Sequence, residues 1–427
     1  MKLLVARYSA LLTGSFLLLV GIGLLGTLVP LRLDSAGESN LTIGLVGGAY
    51  FVGLIAGTQR AGQVISAVGH IRAFAAFASI LSVTTLSFSI VTAAAPWAGL
   101  RFLNGFCLAG LFMCLESWLN AQTSNEQRGR ILSLYMIALY LGQGAGQMLL
   151  PLPDPNGFVR FMVCAAFISL AVVPIATTRI TAPTPAFAGV ISLRQLYVLS
   201  PLGLGVAFAS GLSLGAFYAL GPLFARSIGL GVDATASFMG LVIVGGLVLQ
   251  WPIGRVSDRV DRRLVVVVVS LGLIAVSGGL IVAQDGLPNL LLPFALPLGA
   301  VIFALYPLSV AHANDRLEPD KIVAVSAGLI TAYGLGAAIG PPAAASLMQI
   351  VGPSGLFAFM AAVGAGTAAF TGWRMRRRSA VPTDAQTVFV ALPRTTPLAG
   401  ALDPRAEETP QGDDDALSGD MAAEADG

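Results

Sequence analysis

Residues 254–263 read Gly-Arg-Val-Ser-Asp-Arg-Val-Asp-Arg-Arg and separate two long apolar stretches, 236–254 and 264–284. Neither stretch contains Lys, Arg, Asp or Glu. About twenty apolar residues cross a hydrocarbon core of roughly 30 Å as a helix, which rises about 1.5 Å per residue. Helix is expected because lipid offers no partner for backbone polar groups. The loop therefore predicts a tight connection between two membrane-spanning helices at the membrane surface.

The same pattern continues in both directions along the 427-residue chain. The chain is 56% hydrophobic and only 11% charged, whereas a soluble protein carries about a quarter charged residues. Twelve spans are predicted, at 8–31, 41–65, 71–93, 96–119, 131–152, 158–177, 200–222, 236–254, 264–284, 288–311, 322–348 and 354–373. We expect an all-α integral membrane protein with two six-helix halves, 1–177 and 200–373, joined by a linker at 178–199.

The C-terminal segment 374–427 has a different composition. After the cluster of arginines at 374–378 it contains ten acidic residues and few large apolar side chains. Such a sequence buries too little apolar surface to offset ordering entropy, so we expect a disordered tail. Docking of the apolar patch 388–392 on the helices is the alternative.

The basic residues predict the orientation of the spans. Eighteen Lys and Arg fall on the side of the membrane where the first span begins and the last span ends. The loops on the opposite side hold three, Arg32, Arg160 and Arg226. Because basic loops remain in the cytoplasm, both termini are predicted to be cytoplasmic, in a multi-pass protein of the cell inner membrane.

The two halves also repeat one another at a shift of about 192 to 194 residues. Residues 62–72, Gly-Gln-Val-Ile-Ser-Ala-Val-Gly-His-Ile-Arg, follow span two as 254–263 follow span eight. Gly142 and Gly146 of span five correspond to Gly336 and Gly340 of span eleven. Duplicated halves are typical of secondary transporters, whose site lies near the midplane between the halves.

The stretch 254–263 resembles motif A of the major facilitator superfamily, and the similarity extends over about 370 residues. This resemblance implies a charge latch at the cytoplasmic surface. Gly254 would allow close helix approach, and Asp258 would lie at the positive N-terminus of a neighbouring helix. The remaining residues of the implied latch are Arg259, Arg262 and Arg263 in the second half and Gly62, Gly69 and Arg72 in the first. Ser66 stands where the family has Asp, so the first copy is expected to latch weakly.

Three further stretches are similar to the same family. Residues 101–105, Arg-Phe-Leu-Asn-Gly, are similar to its motif B. Residues 336–341 resemble its Gly-Pro motif C, which exporters carry in span five, where this chain has Gln147. Residues 116–120 and 389–393, Glu-Ser-Trp-Leu-Asn and Phe-Val-Ala-Leu-Pro, resemble the uncharacterised YcaD-type branch. That branch implies a transporter without an assigned substrate.

Arg101 is the only basic residue well inside a predicted span, and Glu116 is the only carboxylate in a span. An intramembrane charge is costly and is expected to face a cavity or a partner. Arg101 is interpreted as an anion-attracting or proton-coupling residue. The alternatives are a structural hydrogen bond to the carbonyls of span one, or a side chain that snorkels to the near periplasmic interface. Glu116 is interpreted as a proton carrier, or as a latch acid for arginines such as Arg60, Arg72 or Arg128.

The remaining candidates are polar or amphipathic residues within the spans. As a set they would line a mostly apolar cavity with a few fixed polar groups, whereas singly each would join helices by hydrogen bonds. They are Asn104, Tyr140, Gln143, Gln147, Tyr218, Gln250 and Tyr333. Gly142, Gly146, Gly336 and Gly340, with Pro341, are interpreted as sites of close helix packing.

Several functions are not expected from this sequence. Neither lysine, Lys2 or Lys321, follows a Gly-rich phosphate loop, so ATP hydrolysis is excluded. The three cysteines and two histidines have no metal-ligand spacing. We expect no enzyme activity, no cofactor, no metal and no nucleic-acid partner, and we expect a monomer in the lipid bilayer.

The first hypothesis is a secondary active transporter that moves a small organic solute by alternating access, coupled to protons, with export favoured over uptake. The second is uptake or uniport of a small anionic metabolite held by Arg101. The third is a membrane sensor that no longer transports and signals through its acidic tail.

Overall fold

The computed structural model describes residues 2–91, 93–154, 157–178, 191–286, 290–315, 317 and 321–406. Within these residues the regular secondary structure is helical. The long helices of the first half are α1 (Lys2–Ser35), α2 (Asn40–Val68), α3 (His70–Ile90), α4 (Ala94–Gln122), α5 (Asn125–Gln147) and α6 (Val159–Leu170), which continues as α7 (Val172–Ala176). After the short α8 (Leu193–Leu199), the second half comprises α9 (Pro201–Ser227), α10 (Val232–Ser257), α11 (Arg262–Gly286), α12 (Leu291–Asn314), α13 (Ile322–Val351) and α14 (Gly355–Arg377).

In the residues that the structure describes, twelve helical segments form the bundle, six in each half. In the described part of the chain, eleven of them are long and apolar enough to cross a membrane, with α6 and α7 counted as one segment. The twelfth, α5, begins with the polar run Asn-Glu-Gln-Arg-Gly-Arg and packs against α1 and α10. The predicted twelve-helix, two-repeat fold is confirmed.

Local signals explain where several helices begin. Ser39 caps α2 by accepting a hydrogen bond from the backbone N–H of Thr42. Gly69 has φ of +84° at the sharp turn between α2 and α3, a backbone conformation that glycine adopts without a steric penalty. Ser192 and Gln195 form a capping box that begins α8, so the predicted linker 178–199 contains a short helix. Its residues 179–190 lie outside the described residues.

The two halves repeat the same helix contact. In the first half, a Cβ on Gly142 would be 2.5 Å from the carbonyl oxygen of Phe16 in α1. In the second half, a Cβ on Gly336 would overlap the carbonyl oxygen of Phe208 in α9. Gly146 and Gly340 occupy the next helical turn on the same faces and approach α1 and α9 equally closely. Each half therefore packs its fifth spanning helix against its first, backbone to backbone.

We call the two ends of the bundle the terminal end and the far end. The terminal end contains the start of α1 and the end of α14, and the far end contains the turns at 36–39 and 228–231. At the far end the halves meet directly, because Gly44 and Gly48 of α2 pack against Pro341 and Ala338 of α13. An ion pair between Arg226 and Asp34 at 3.0 Å joins α9 to α1 at the same end.

The segment after α14 folds back onto the bundle. The side chains of Leu392, Ala399 and Leu402 are buried, and a 3₁₀ helix spans Pro397–Leu402. The expectation of a disordered tail therefore does not hold for residues 374–406, and the docking alternative for 388–392 describes them better. The reason is that this part of the tail concentrates its apolar residues and finds partners for its polar ones. Residues 407–427 lie outside the described residues.

Candidate functional site

A cavity of about 160 Å³ lies between the two halves, midway along the bundle. Both halves line it, with α1, α2, α4 and α5 on one side and α9 and α13 on the other. Pro393, Arg394 and Thr395 of the tail also line it. Sites for drug-sized ligands typically have volumes of about 300 to 1,000 Å³. With the tail in place, this cavity has room only for a small molecule.

Arg101 enters the cavity from α4. Its side chain is buried, and its guanidinium carbon lies 4.6 Å from the centroid of the Tyr50 ring. Its Nε is buried and has no hydrogen-bond partner among the described residues. An arginine keeps its charge in proteins, and a cation over an aromatic face gains a modest attraction. The cavity therefore holds a guanidinium group with unused hydrogen-bonding capacity.

Arg394 enters the cavity from the tail. Its guanidinium donates to the hydroxyl of Tyr140 at 3.1 Å and to the carbonyl oxygen of Phe303 at 3.4 Å, and lies 4.4 Å from the Phe303 ring centroid. All of these partners are neutral. Arg394 therefore adds a second positive charge to the cavity.

The cavity wall carries no compensating negative charge. Among the lining residues, all of which belong to the described part of the chain, none is Asp or Glu. The other polar side chains are the hydroxyls of Tyr50, Tyr140, Tyr218, Tyr333 and Thr395 and the amide of Gln143. The Tyr218 hydroxyl donates to Gln143 Oε1 at 3.4 Å, across the two halves. Two cations among neutral aromatic rings form a site complementary to an anion.

Five predicted candidates, Arg101, Tyr140, Gln143, Tyr218 and Tyr333, meet in this cavity. Gln250 lies beside it and accepts a hydrogen bond from the Tyr140 hydroxyl at 3.2 Å. Asn104 and Gln147 are placed elsewhere. Asn104 donates to Thr84 Oγ1 in α3 at 2.7 Å, and Gln147 bonds both Thr27 and the carbonyl oxygen of Gly23 in α1 at 2.7 Å. Asn104 and Gln147 therefore join helices within the first half.

Glu116 does not line the cavity and is completely buried near the terminal end of α4. Its carboxylate accepts a hydrogen bond from the Tyr135 hydroxyl at 3.1 Å. It also accepts hydrogen bonds from the hydroxyls of Thr395 and Thr396 in the tail. The structure thus gives Glu116 hydroxyl partners from the tail in place of the arginines Arg60, Arg72 and Arg128 that the sequence suggested. Arg128 instead donates to the carbonyl oxygen of Ala406 at 3.0 Å.

The chain matches a known protein family along most of its length. A sequence model described as Major Facilitator Superfamily matches residues 11–249 and 203–402. The chain belongs to the Major Facilitator Superfamily. A protein named "Uncharacterized MFS-type transporter YcaD" from Salmonella heidelberg (strain SL476) is 31% identical over 363 residues, which cover 83% of this chain and 92% of that protein. The predicted resemblance to the YcaD-type branch is confirmed, and the chain is a multi-pass membrane transporter of this superfamily.

Solved structures of superfamily transporters share the fold. The nucleoside transporter NupG aligns with a TM-score of 0.68 at 14% identity, over 86% of this chain and 98% of that chain. A D-xylose-proton symporter aligns with a TM-score of 0.68 at 14% identity, over 91% of this chain and all of that one, 100%. At these identities the likeness is one of architecture.

The superfamily's motif A lies at the terminal end, between α10 and α11, and contacts the tail. Asp258 accepts hydrogen bonds from Arg262 at 3.2 Å and from the backbone N–H of Phe389 at 2.8 Å. A Cβ on Gly254 would overlap the Phe389 ring. The close approach expected at Gly254 is therefore made by a tail side chain, and the N–H expected at Asp258 comes from the tail rather than from a helix N-terminus.

Among the predicted latch residues of the second half, Arg262 contacts both the neighbouring helices and the tail. It pairs with Asp315, just after α12, at 3.1 Å and donates to the carbonyl oxygen of Thr387. Asp315 also accepts hydrogen bonds from the backbone N–H and the hydroxyl of Thr387, both at 3.0 Å. Burial raises the pKa of Asp315, and the charge of Arg262 offsets only part of that rise. These contacts join α11 and the end of α12 to the tail.

The other predicted latch residues make fewer hydrogen bonds and ion pairs. Arg263 pairs with Asp261 at 2.8 Å and donates to the carbonyl oxygen of Arg378 at 2.6 Å. Burial opposes ionisation of Asp261, but the hydrogen bonds from Arg263 outweigh it and lower the pKa of Asp261. Gly62 is buried in α2, Gly69 forms the turn to α3, and Arg72 is exposed. Neither Arg72 nor Arg259 has an ion pair among the described residues.

Sequence reasoning missed the tail residues of the site and the aromatic partner of Arg101. Arg394, Thr395 and Thr396 follow the apolar patch 388–392, which was the available signal that this part of the tail docks. Tyr50 was missed because the sequence does not show whether an aromatic residue in an apolar span faces the lipid or a cavity. That depends on the orientation of the helix in the folded bundle. Asp315 lies beyond the predicted end of its span and therefore escaped notice.

Proposed function

We propose that the protein is a secondary transporter that carries a small organic anion across the bacterial inner membrane by alternating access. The observation that supports this most directly is the pair of guanidinium groups, Arg101 and Arg394, in a central cavity without a lining carboxylate. Among the hypotheses from the sequence, this geometry favours the anionic solute.

The physical argument concerns the cost of the two charges. Each buried cation loses hydration, and cation–π contacts restore only about 0.5 to 2 kcal/mol. An anion between the two groups would supply charge-assisted hydrogen bonds, which are roughly twice as strong as neutral ones. The unpartnered Nε of Arg101 provides one donor for such a ligand. The aromatic walls suit a ligand with an apolar or aromatic body.

The position of the cavity supports transport rather than permanent binding. It lies where the two six-helix halves meet, which is the expected place for the site of a transporter built from repeats. With both termini in the cytoplasm, as the basic loops indicate, the far end faces the periplasm. The far end is closed by direct contact of α2 with α13, so access from the cytoplasm is through the terminal end.

A thermal-shift comparison of matched ligands tests the proposal. Purified protein in detergent is heated with benzoate, succinate and glycerol phosphate, and in parallel with benzamide, succinamide and glycerol. We expect at least one anion to raise Tm by about 2 °C or more, because a ligand that binds only the folded state stabilises it. Its neutral counterpart should leave Tm unchanged.

Arg101→Gln should abolish that shift, while Arg130→Gln, at an exposed position of α5, should retain it. The stabilising anion is then tested for flux into liposomes, with and without an imposed pH gradient. Proton coupling predicts that flux follows the gradient. If no anion stabilises the protein more than its neutral counterpart does, the anionic site is refuted.

A further inference from the structure

The tail segment 387–406, which we call the strap, lies between the two halves at the terminal end. On the first half, Thr395 and Thr396 bond Glu116 in α4, and the carbonyl oxygen of Ala406 accepts from Arg128 in α5. These contacts cover the end of the first half through side chains and a single backbone carbonyl.

On the second half, the strap contacts four helices, and its contact with α11 is the hydrogen bond that the carbonyl oxygen of Thr387 accepts from Arg262. Phe389 packs on Gly254 of α10, Asp403 accepts a hydrogen bond from Asn314 of α12 at 3.4 Å, and Gly400 lies against Ser326 of α13. The strap therefore bridges the halves where they would otherwise have to touch each other or leave an opening.

The strap also reaches the cavity itself. Arg394 immediately precedes Thr395 and Thr396 in the chain. Its guanidinium contacts Tyr140 of the first half and Phe303 of the second. Pro393 and Thr395 form part of the same wall. One continuous segment thus closes the terminal end and supplies a charged group to the site behind that closure.

We propose that the strap is a removable part of the transport site: docked, it completes the anion site with Arg394 and closes the cytoplasmic mouth, and it must undock in each transport cycle. The inference rests on the proposed function, because it assigns Arg394 to the site of that function. The charge of Arg394 stabilises the bound anion, and an anion in turn holds the strap in place.

Undocking follows from the space that the strap occupies. Alternating access requires the terminal ends of the halves to separate for cytoplasmic release and to meet when the far end opens. While the strap lies between the halves it fills the exit in the first case and prevents their contact in the second. A docked strap therefore stabilises the closed arrangement of the structure, and its release rate limits turnover.

An accessibility assay tests the closure without any knowledge of the solute. Met136 lines the cavity from α5, and Met136→Cys is labelled in detergent with a sulfonated methanethiosulfonate. The three native cysteines, Cys107, Cys114 and Cys164, are buried, and the unsubstituted chain gives the background. We expect a chain that ends at Arg378 to label at least about tenfold faster than the full chain.

A chain that ends at Ala406 is the matched control, because it lacks only 407–427, and it should label like the full chain. The double variant Thr395→Val with Thr396→Val keeps the complete strap but removes its hydrogen bonds to Glu116. It should label faster than the full chain. If the chain that ends at Arg378 does not fold, this double variant tests the closure in its place. Equal rates in the full chain, the double variant and any folded Arg378-terminated chain overturn the closure.

A second assay tests Arg394 in the site. Arg394→Gln should lose most of the thermal shift given by the stabilising anion, Arg394→Lys should recover part of it, and Arg376→Gln, at an exposed position of α14, should keep all of it. An undiminished shift in Arg394→Gln overturns the role of the strap while leaving the anion site at Arg101 intact. If no anion stabilises the full chain, the proposed function fails, and the labelling result still decides whether the strap closes the mouth.

Discussion

At the far end, Gly44 and Gly48 bring α2 into backbone contact with α13, whereas at the terminal end the strap lies between the halves. The first closure is made of close-packed helices, and the second of hydrogen bonds and a few buried side chains on a single segment. Helices packed through glycine separate only if the halves move as bodies. A segment can leave while the halves stay where they are. The two ends should therefore open by different routes and respond to different substitutions.

The largest effect is expected at the far end, from Gly48→Val. A Cβ at this position would be 2.6 Å from the carbonyl oxygen of Ala338, so the side chain must push α2 away from α13. Overpacking typically costs about 1 to 3 kcal/mol, which corresponds to roughly a 5-fold to 150-fold change in an equilibrium. We expect Met136→Cys to label faster by a factor in this range although the strap is intact.

Gly366→Val serves as the control, because nothing lies within 4 Å of a Cβ at that position of α14. The same labelling rate in Gly48→Val as in the parent chain would show that contact through glycine does not close the far end.

An intermediate effect is expected at the terminal end, from Glu116→Gln. The substitution keeps the shape but removes one carboxylate oxygen and the charge that Thr395 and Thr396 bond. Hydrogen bonds to charged groups contribute about 1.5 to 3 kcal/mol, so strap docking should weaken roughly tenfold or more. Trypsin cleavage after Arg394 should accelerate accordingly, because the docked strap shields that bond.

Glu126→Gln, in the exposed first turn of α5, should leave the cleavage rate of the parent chain unchanged. If Glu116→Gln is cleaved at the same rate as the parent chain, the hydrogen bonds of Thr395 and Thr396 contribute nothing to docking. The apolar contacts of the strap would then be sufficient to hold it.

The smallest effect is expected from Arg226→Gln, which removes the ion pair with Asp34 across the far end. The two side chains are 49% and 30% exposed, and exposed ion pairs contribute about 0 to 1 kcal/mol. Labelling of Met136→Cys should change less than about fivefold. A change as large as that of Gly48→Val would show that charge, rather than glycine packing, closes the far end.

Much of the helical scaffold could be predicted because its signal is local. The apolar stretches, the repeat of Gly142 and Gly146 by Gly336 and Gly340, and motif A each appear within a short run of sequence. Most of the polar candidate residues meet in or border the cavity. Asn104 and Gln147 were equally polar and equally placed within their spans, yet they face neighbouring helices, because which side of a helix faces the cavity depends on how the whole bundle packs.

The tail shows the opposite situation. Its acidic composition is an average over 379–427, and that average obscured the apolar and hydroxyl residues at 388–402. Composition predicts disorder only when no part of the segment finds a complementary surface. Glu116 and Tyr135 form the surface on which Thr395 and Thr396 dock. Because these two residues are distant in sequence from the tail, no local pattern predicts the contact.

The sequence by itself determined that this chain crosses the membrane about twelve times in two similar halves, since lipid dictates helix length and backbone pairing for each span independently. Only the tertiary structure decided that Arg101 and Arg394 share one cavity, because they lie 293 positions apart in the chain and meet through the packing of both halves and the strap. Charge complementarity at a site is a property of distances between groups, and those distances exist only after the helices have come together.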